Sequence, residues 1–239
     1  MLCLSSGAPG CGKSSQHKFL ASVLPQARYL CLEYKDIDML EGSGVNYTII
    51  EKFDDNFIED PIATLAALEM EIHEIIHKKD EAGKPVYRNV VVDGVSDIRS
   101  FATKEWIYRD NMERKRRAMP QRETISGENK SAWHDINERT KGLLRPLINW
   151  ANVTRNNVFF TAQLKDNYVN DKKAGKIINI GEWCEYDVDV KIEFMRPALD
   201  RYVLRFTKLP DWSNDTGVYE IDVEKNGLIA ALAERKLIR

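Results

Sequence analysis

The run Gly7-Ala8-Pro9-Gly10-Cys11-Gly12-Lys13-Ser14 constrains this chain more than any other stretch. Before it lies a short apolar segment, Leu2 to Ser5, that reads as a buried strand. After it, Lys13 to Leu24 can form a helix, which Pro25 stops. The spacing is G-x-x-x-x-G-K-S in the strand–turn–helix setting that gives the pattern its meaning. Glycines let successive backbone N–H groups converge on phosphate oxygens. The helix start adds the positive end of its dipole. We therefore expect Gly7, Ala8, Pro9, Gly10, Cys11, Gly12, Lys13, Ser14 and the adjoining Ser15 to form a nucleotide-phosphate cradle. Lys13 would reach the terminal phosphates, and the Ser14 hydroxyl would be a ligand for Mg²⁺.

The rest of the chain punctuates around that start. Tyr29 to Leu32 reads as a second buried strand ending at Glu33, followed by an irregular acidic stretch over 34–60. Pro61 suits a first helical position, and Leu65, Leu68, Ile72, Ile75 and Ile76 follow at helical spacing, so a helix is expected over 61–79. Asn89-Val90-Val91-Val92-Asp93 is a continuous β-branched run of the kind found in parallel sheets covered on both faces. Helices are expected over 98–118 and 131–151, a strand over 157–163 and a mobile loop over 164–181. Runs at 188–195, 201–208 and 217–223 alternate like antiparallel strands, and a short helix over 226–235 follows. Strands alternating with helices predict an α/β fold. We expect one domain over 1–239: a three-layer core to residue 208, with a mainly parallel sheet, and a C-terminal β/α extension over 209–239.

Composition narrows the function classes. Of 239 residues, 35 are Lys or Arg and 37 are Asp or Glu, a net charge of −2, and 43% are hydrophobic. A disordered chain is excluded, and nucleic-acid contact would need a local basic patch. No apolar run reaches the roughly 18 residues that span a bilayer. No signal peptide is expected at the N-terminus. Cys3, Cys11, Cys31 and Cys184 form no C-x-x-C pair, so free thiols in a reducing cytoplasm are expected.

Three polar strand ends add chemistry to the cradle. Asp93, closing an apolar strand, is a candidate for the Mg²⁺ shell beside Ser14. Glu33, directly after the second strand, could polarise an attacking water as a general base. Gln163, at the end of 157–163, could sense the terminal phosphate and pass its state to the segment beyond. GAPGCGKS, CLE ending at Glu33, NVVVDGVSD around Asp93 and FFTAQ ending at Gln163 occur in that order. With them the chain resembles the RecA-like branch of P-loop ATPases, within it the compact AAA-type nucleotide-binding proteins of phages and mobile elements, some of which act in single-strand annealing or recombination. The resemblance covers about residues 1–208. It implies an Mg²⁺-dependent ATP hydrolase that works as a homo-oligomeric ring or filament, with single-stranded DNA facing the stretch after Asp93 and the loop after Gln163. The local charge agrees: Arg109, Arg114, Lys115, Arg116, Arg117 and Arg122 against two acids give residues 109–122 a net +4. Lys165, Lys172, Lys173 and Lys176 against Asp166 and Asp171 give 164–181 a net +2. Trp106, Tyr108 and Tyr168 could stack on bases. Charge runs are also ordinary solvated helix faces. The resemblance further implies a basic residue donated by a neighbouring subunit. Arg205 and Lys208 are the candidates, and spacing does not choose between them.

Two other enzyme-like or assembly readings stand beside this one. A nucleotide-type kinase also carries such a loop, and residues 109–122 could be its arginine lid. A nucleotide-gated assembly or packaging ATPase would bind ATP and turn over little. His73-Glu74-Ile75-Ile76-His77 matches H-E-x-x-H on a helix, but the pattern is short, and the helix already buries the neighbouring apolar stripe, so a solvated helix edge is expected there.

Overall fold

A computed structural model describes residues 1–32, 40–54, 58–169, 172–178, 180, 184, 187–210, 217–221 and 227–238. In chain order the strands are β1 (Leu2–Gly7), β2 (Ala27–Cys31), β3 (Tyr47–Ile49), β4 (Asn89–Asp93), β5 (Asn157–Val169), β6 (Lys172–Ile178), β7 (Val190–Ala198), β8 (Arg201–Lys208) and β9 (Val218–Ile221). The helices are α1 (Lys13–Val23), α2 (Pro61–His77), α3 (Val95–Arg116), α4 (Lys130–Thr154) and α5 (Gly227–Glu234).

The sheet order is β3-β2-β4-β5-β1-β7-β8-β9, with β6 paired to β5 outside that path. Strands β3, β2, β4, β5, β1 and β7 run parallel, whereas β8 and β9 are antiparallel to their neighbours. The strand alternation sorts the core into two halves. Leu2, Leu4, Val90, Val92, Val158 and Phe160 pack with Leu68 and Ile72 of α2, Ile98 of α3 and Leu144 and Leu147 of α4. Cys3, Val91, Phe159, Ile192 and Phe194 face the other way, onto Leu20 of α1 and Leu228 and Leu232 of α5. Both faces of the parallel sheet are thus covered, which is why β1 and β4 are buried along their whole length. The C-terminal segment shares this body: β9 continues the sheet through β8, and the Leu228 amide donates to Gln16 Oε1 of α1 at 2.8 Å.

Three expectations are corrected. The stretch 164–181 is not a loop over its described part: β5 runs on to Val169 and folds back antiparallel as β6, with Leu164 opposite Ile178. The polar, lysine-rich alternation there is that of a hairpin projecting past the covered sheet. Strand 188–195 is not purely antiparallel. As β7 it lies parallel to β1, with Cys3 opposite Val190 and Gly7 opposite Phe194, and antiparallel only to β8. The stretch 34–60, expected to be irregular, contributes the edge strand β3, parallel to β2.

Order and direction place the chemistry. Parallel strands end on one edge, and the helices that follow them begin there. β1 lies between β5 and β7, while the chain after α1 crosses to β2 on the far side of β4. Such a change of winding direction opens a crevice beyond the strand ends.

Candidate nucleotide-phosphate site

The turn after β1 occupies that crevice. Gly10 and Gly12 take left-handed backbone conformations, φ 75° and 87°. A side chain at either would add strain, which explains glycine at both. Gly7 is fixed by space instead: a Cβ there would stand 2.6 Å from the Phe194 carbonyl oxygen and 2.6 Å from Cys11 Sγ. Helix α1 begins at Gly12 with no side-chain cap and no acid in its first turn. Its leading N–H groups are therefore left for another acceptor, the arrangement that fits a bound anion.

Lys13 is almost completely buried, and its Nζ donates to the carbonyls of Gly7 at 3.0 Å and Ala8 at 3.1 Å. A second cation closes the loop from outside. Arg196, at the end of β7, donates to Gly10 O at 3.5 Å and stacks over the Tyr202 ring at 5.0 Å. One turn into α1, His17 is buried between Phe159 and Phe194. Burial holds its pKa below the ordinary imidazole value. The neutral ring donates from Nδ1 to Lys13 O at 2.8 Å and accepts the Ser5 hydroxyl at Nε2, 3.1 Å. The base of the lysine is thus tied to β1.

Strand β5 stands between the loop strand and the acid strand. Gly7 lies opposite Gln163, which brings that glutamine directly beside the turn. Asp93 is fully buried at the end of β4. Tyr29 donates to its Oδ2 and Thr161 to its Oδ1, and the Gly94 amide donates to Thr161 at 2.9 Å. The Gln163 amide donates to Ser96 Oγ at 2.7 Å. The acid strand and the glutamine strand are therefore stitched together by hydroxyls at their ends. Asp93 and Ser14 offer oxygens suited to a hard divalent ion, Ser14 from the first turn of α1 and Asp93 from the next strand but one. Glu33 lies outside the described residues.

Beyond Gln163, Arg99 of α3 and Lys165 of β5 line a cavity of about 460 Å³ with Thr103, Thr124 and Trp133. Arg99 packs over Trp133 at 5.5 Å, and its Nε is buried without a hydrogen-bond partner. Burial, and then the charge of Arg99, hold the Lys165 ammonium below its ordinary pKa. Lys172 and Lys173 lie on β6, opposite Val169 and Tyr168.

The other sequence candidates sit elsewhere. Arg109 pairs with Glu105, Arg114 and Arg122 with Asp110, and Arg116 and Arg117 with Glu113. Arg122 also covers the Trp106 ring. Four of these pairs lie along α3 itself, and Arg122 with Asp110 ties the loop after it back to the helix; Lys115 is exposed. Arg205 pairs with Glu193 across the β7–β8 ladder, and Lys208 lies opposite Lys191, near the start of β7. Neither of these pairings involves this chain's own phosphate turn. His73 and His77 stack at 4.0 Å on an exposed face, and Glu74 pairs with Lys78. Among the described residues no group of three metal-ligating side chains forms. Nor, among them, is any helix long and apolar enough to cross a membrane.

No protein-family model matches this chain, and no curated protein matches it in sequence.

Sequence reasoning missed Tyr29, Thr161, Ser96, His17 and Arg196. Thr161 and Ser96 carried a faint signal, each lying two or three residues from an acid or amide already singled out. Arg196 carried none, because β7, whose residues pair with β1 partners 187 positions earlier, delivers it.

Proposed function

We propose that the protein is an Mg²⁺-dependent ATP hydrolase of the RecA-like P-loop type, coupled to single-stranded DNA and working as a homo-oligomer. The observation that carries the reading is the juxtaposition at one strand edge: an uncapped helix start behind a glycine turn, a buried lysine on that turn, and Gln163 in register with Gly7. The turn amides and Lys13 bind and orient the phosphates, and Lys13 leaves its two carbonyl partners to do so. Ser14 and Asp93 would hold the Mg²⁺, which supplies neutralisation of charge on the transferring phosphoryl. Tyr29 and Thr161 fix the Asp93 carboxylate, so its oxygens are aimed before any ligand arrives. Glu33 is assigned as the base that takes the proton of the attacking water. Arg196 is placed to stabilise charge from within the same chain, and Arg205 or Lys208 from a neighbour.

Gln163 couples the two halves. It lies beside Gly7 of the phosphate turn, its amide is held by Ser96, and two residues on the chain reaches Lys165 and the Arg99 cavity. A cavity lined by Arg99, Lys104 and Lys165 against one acid, Glu123, with Trp133 on its wall, suits a nucleic-acid phosphate with a stacked base. Arg99 and Lys165 are accordingly stronger DNA candidates than the ion-paired arginines of 109–117.

The test is ATP hydrolysis with and without single-stranded DNA, with Lys13→Ala as the blank and Glu33→Gln as the base variant. Hydrolysis stimulated by DNA and abolished in both variants is expected. Turnover indifferent to DNA, with phosphate passed to a nucleoside acceptor, would establish the kinase reading instead. Nucleotide-driven assembly with negligible turnover would establish the packaging reading.

A further inference from the structure

The opposite edge of the sheet, where parallel strands begin and helices end, holds a cleft of about 920 Å³. Lys84, Arg88, Arg155 and Lys236 line it, with no aspartate or glutamate among its lining residues. All four are exposed, and among the described residues none has a carboxylate partner. The arginines at the end of α3 differ in this: each is paired with Glu105, Asp110 or Glu113. The platform is rigid. The Arg88 amide donates to Gln26 O at 3.0 Å, the Asn157 amide donates to Arg88 O at 2.8 Å, and Asn157 Nδ2 donates to Asn89 Oδ1 at 2.8 Å.

Arg155 and Lys236 stand at left-handed positions, φ 57° and 56°, just past the ends of α4 and α5. Glycine or asparagine ordinarily fills such positions, since a longer side chain there is strained. This chain accepts the strain and places cations. A bland account exists, because a cation at a helix C-terminus complements the dipole. Magnitudes decide between them. Four helices, α1, α2, α4 and α5, end at this edge, each worth about −0.5 of a charge. Together they offset about half of four full positive charges. The remainder sits in a concave site of one sign, which focuses its field on an approaching polyanion.

We infer that this cleft is a second nucleic-acid site, which grips the phosphodiester backbone through Arg88, Arg155, Lys84 and Lys236 without reading bases. It lies across the sheet from the phosphate turn and does not rest on the hydrolase reading. A strand bound there and a strand bound at Arg99 and Lys165 would be held on opposite edges of one protomer.

The experiment is fluorescence anisotropy of a labelled oligothymidylate, without nucleotide, across a salt series. Arg88→Ala with Arg155→Ala should weaken binding at least tenfold. It should also make the slope of log affinity against log salt shallower by about 1.4, because each phosphate of a single strand that is no longer neutralised removes about 0.7. Arg88→Lys with Arg155→Lys should keep the slope. In the unaltered protein the oligonucleotide should protect Lys84 and Lys236 from acetylation, a reading that no folding defect can mimic. Unchanged affinity and slope in the double alanine variant, or unprotected lysines, would overturn the proposal. So would inorganic tripolyphosphate binding the cleft as tightly as the oligonucleotide. If only Arg99→Ala with Lys165→Ala weakens binding, this cleft is excluded and the first site stands alone. ATP hydrolysis is absent from every arm, so its failure cannot be confused with this one.

Discussion

Helices α1 and α2 begin in opposite ways. Helix α2 starts at Asp60, whose carboxylate accepts from the Ile62 amide at 3.0 Å and the Ala63 amide at 2.9 Å, with Pro61 at the first helical position. Its leading donors are satisfied by the chain itself. Helix α1 starts at Gly12, in a left-handed conformation, with no side chain over its N–H groups and no acid near them. The first arrangement maximises stability and leaves nothing to bind. The second gives up a cap, and under our reading it recovers the lost interaction from a phosphate. Helix α3 also starts uncapped at a left-handed glycine, Gly94, but it carries Asp97 in its first turn; under our reading it is the start without cap or acid, that of α1, that a ligand completes.

Substitutions at the two starts should therefore part cleanly. The largest effect is expected from Lys13→Ala, which should lower hydrolysis by about 10²–10³-fold, the usual cost of one donor aimed at developing charge. The fold should persist, checked by circular dichroism. Asp93→Asn should come next, with metal-dependent turnover down by about 10²-fold and loss of the ordered Tyr29 and Thr161 partners, read from an Mg²⁺ titration. Gly7→Ala has no room at 2.6 Å from the Phe194 carbonyl and should destabilise by roughly 1–3 kcal/mol in urea unfolding. Asp60→Ala should cost about 1 kcal/mol in the same assay and leave nucleotide binding unchanged. If Asp60→Ala weakened nucleotide binding as much as Lys13→Ala, the distinction between the two starts would collapse.

The smallest effect concerns pH. His17 is kept neutral in the fold, with a pKa below its ordinary value near 6.5, chiefly by burial. The unfolded chain takes up the proton first as pH falls. His17's contribution to stability is therefore full above about pH 6.5 and is lost progressively below it, toward the folded-state pKa. Unfolding midpoints measured from pH 7.5 to 5 should fall over that lower range. A flat profile would show that His17 takes up its proton as readily in the fold as in the unfolded chain, and that the Ser5–His17–Lys13 tie is wrongly assigned.

Much of this was legible in the sequence. The glycine turn, the run Val90–Val92 and the strand from Asn157 declare themselves through composition alone, because buried parallel strands need continuous apolar residues. Gln163 was legible as a candidate because it ends such a run, and Lys13 because the glycine spacing before it fits a phosphate loop. The neighbours of each strand were not legible. Nothing local tells Gly7 that Gln163 and Phe194 will lie beside it, and that pairing decides which polar groups meet. The hairpin of β5 and β6 was hidden because alternation in a polar, lysine-rich stretch resembles a loop. The basic run at 109–117 misled in the other direction. A count of charges sees five cations there, but not that Glu105, Asp110 and Glu113 sit one helical turn from four of them and pair with them. The four cations of the far cleft are scattered from residue 84 to 236 and never form a run, so only the folded chain assembles them.

The central claim is that the uncapped start of α1 is a phosphate site. Titration calorimetry of ATP into the protein, with and without Mg²⁺ and repeated on Lys13→Ala, tests it most directly. The account predicts saturable binding by one nucleotide per chain, tighter with Mg²⁺ and lost in Lys13→Ala. Binding that survives in Lys13→Ala, or no binding by the unaltered protein under any of these conditions, would contradict it.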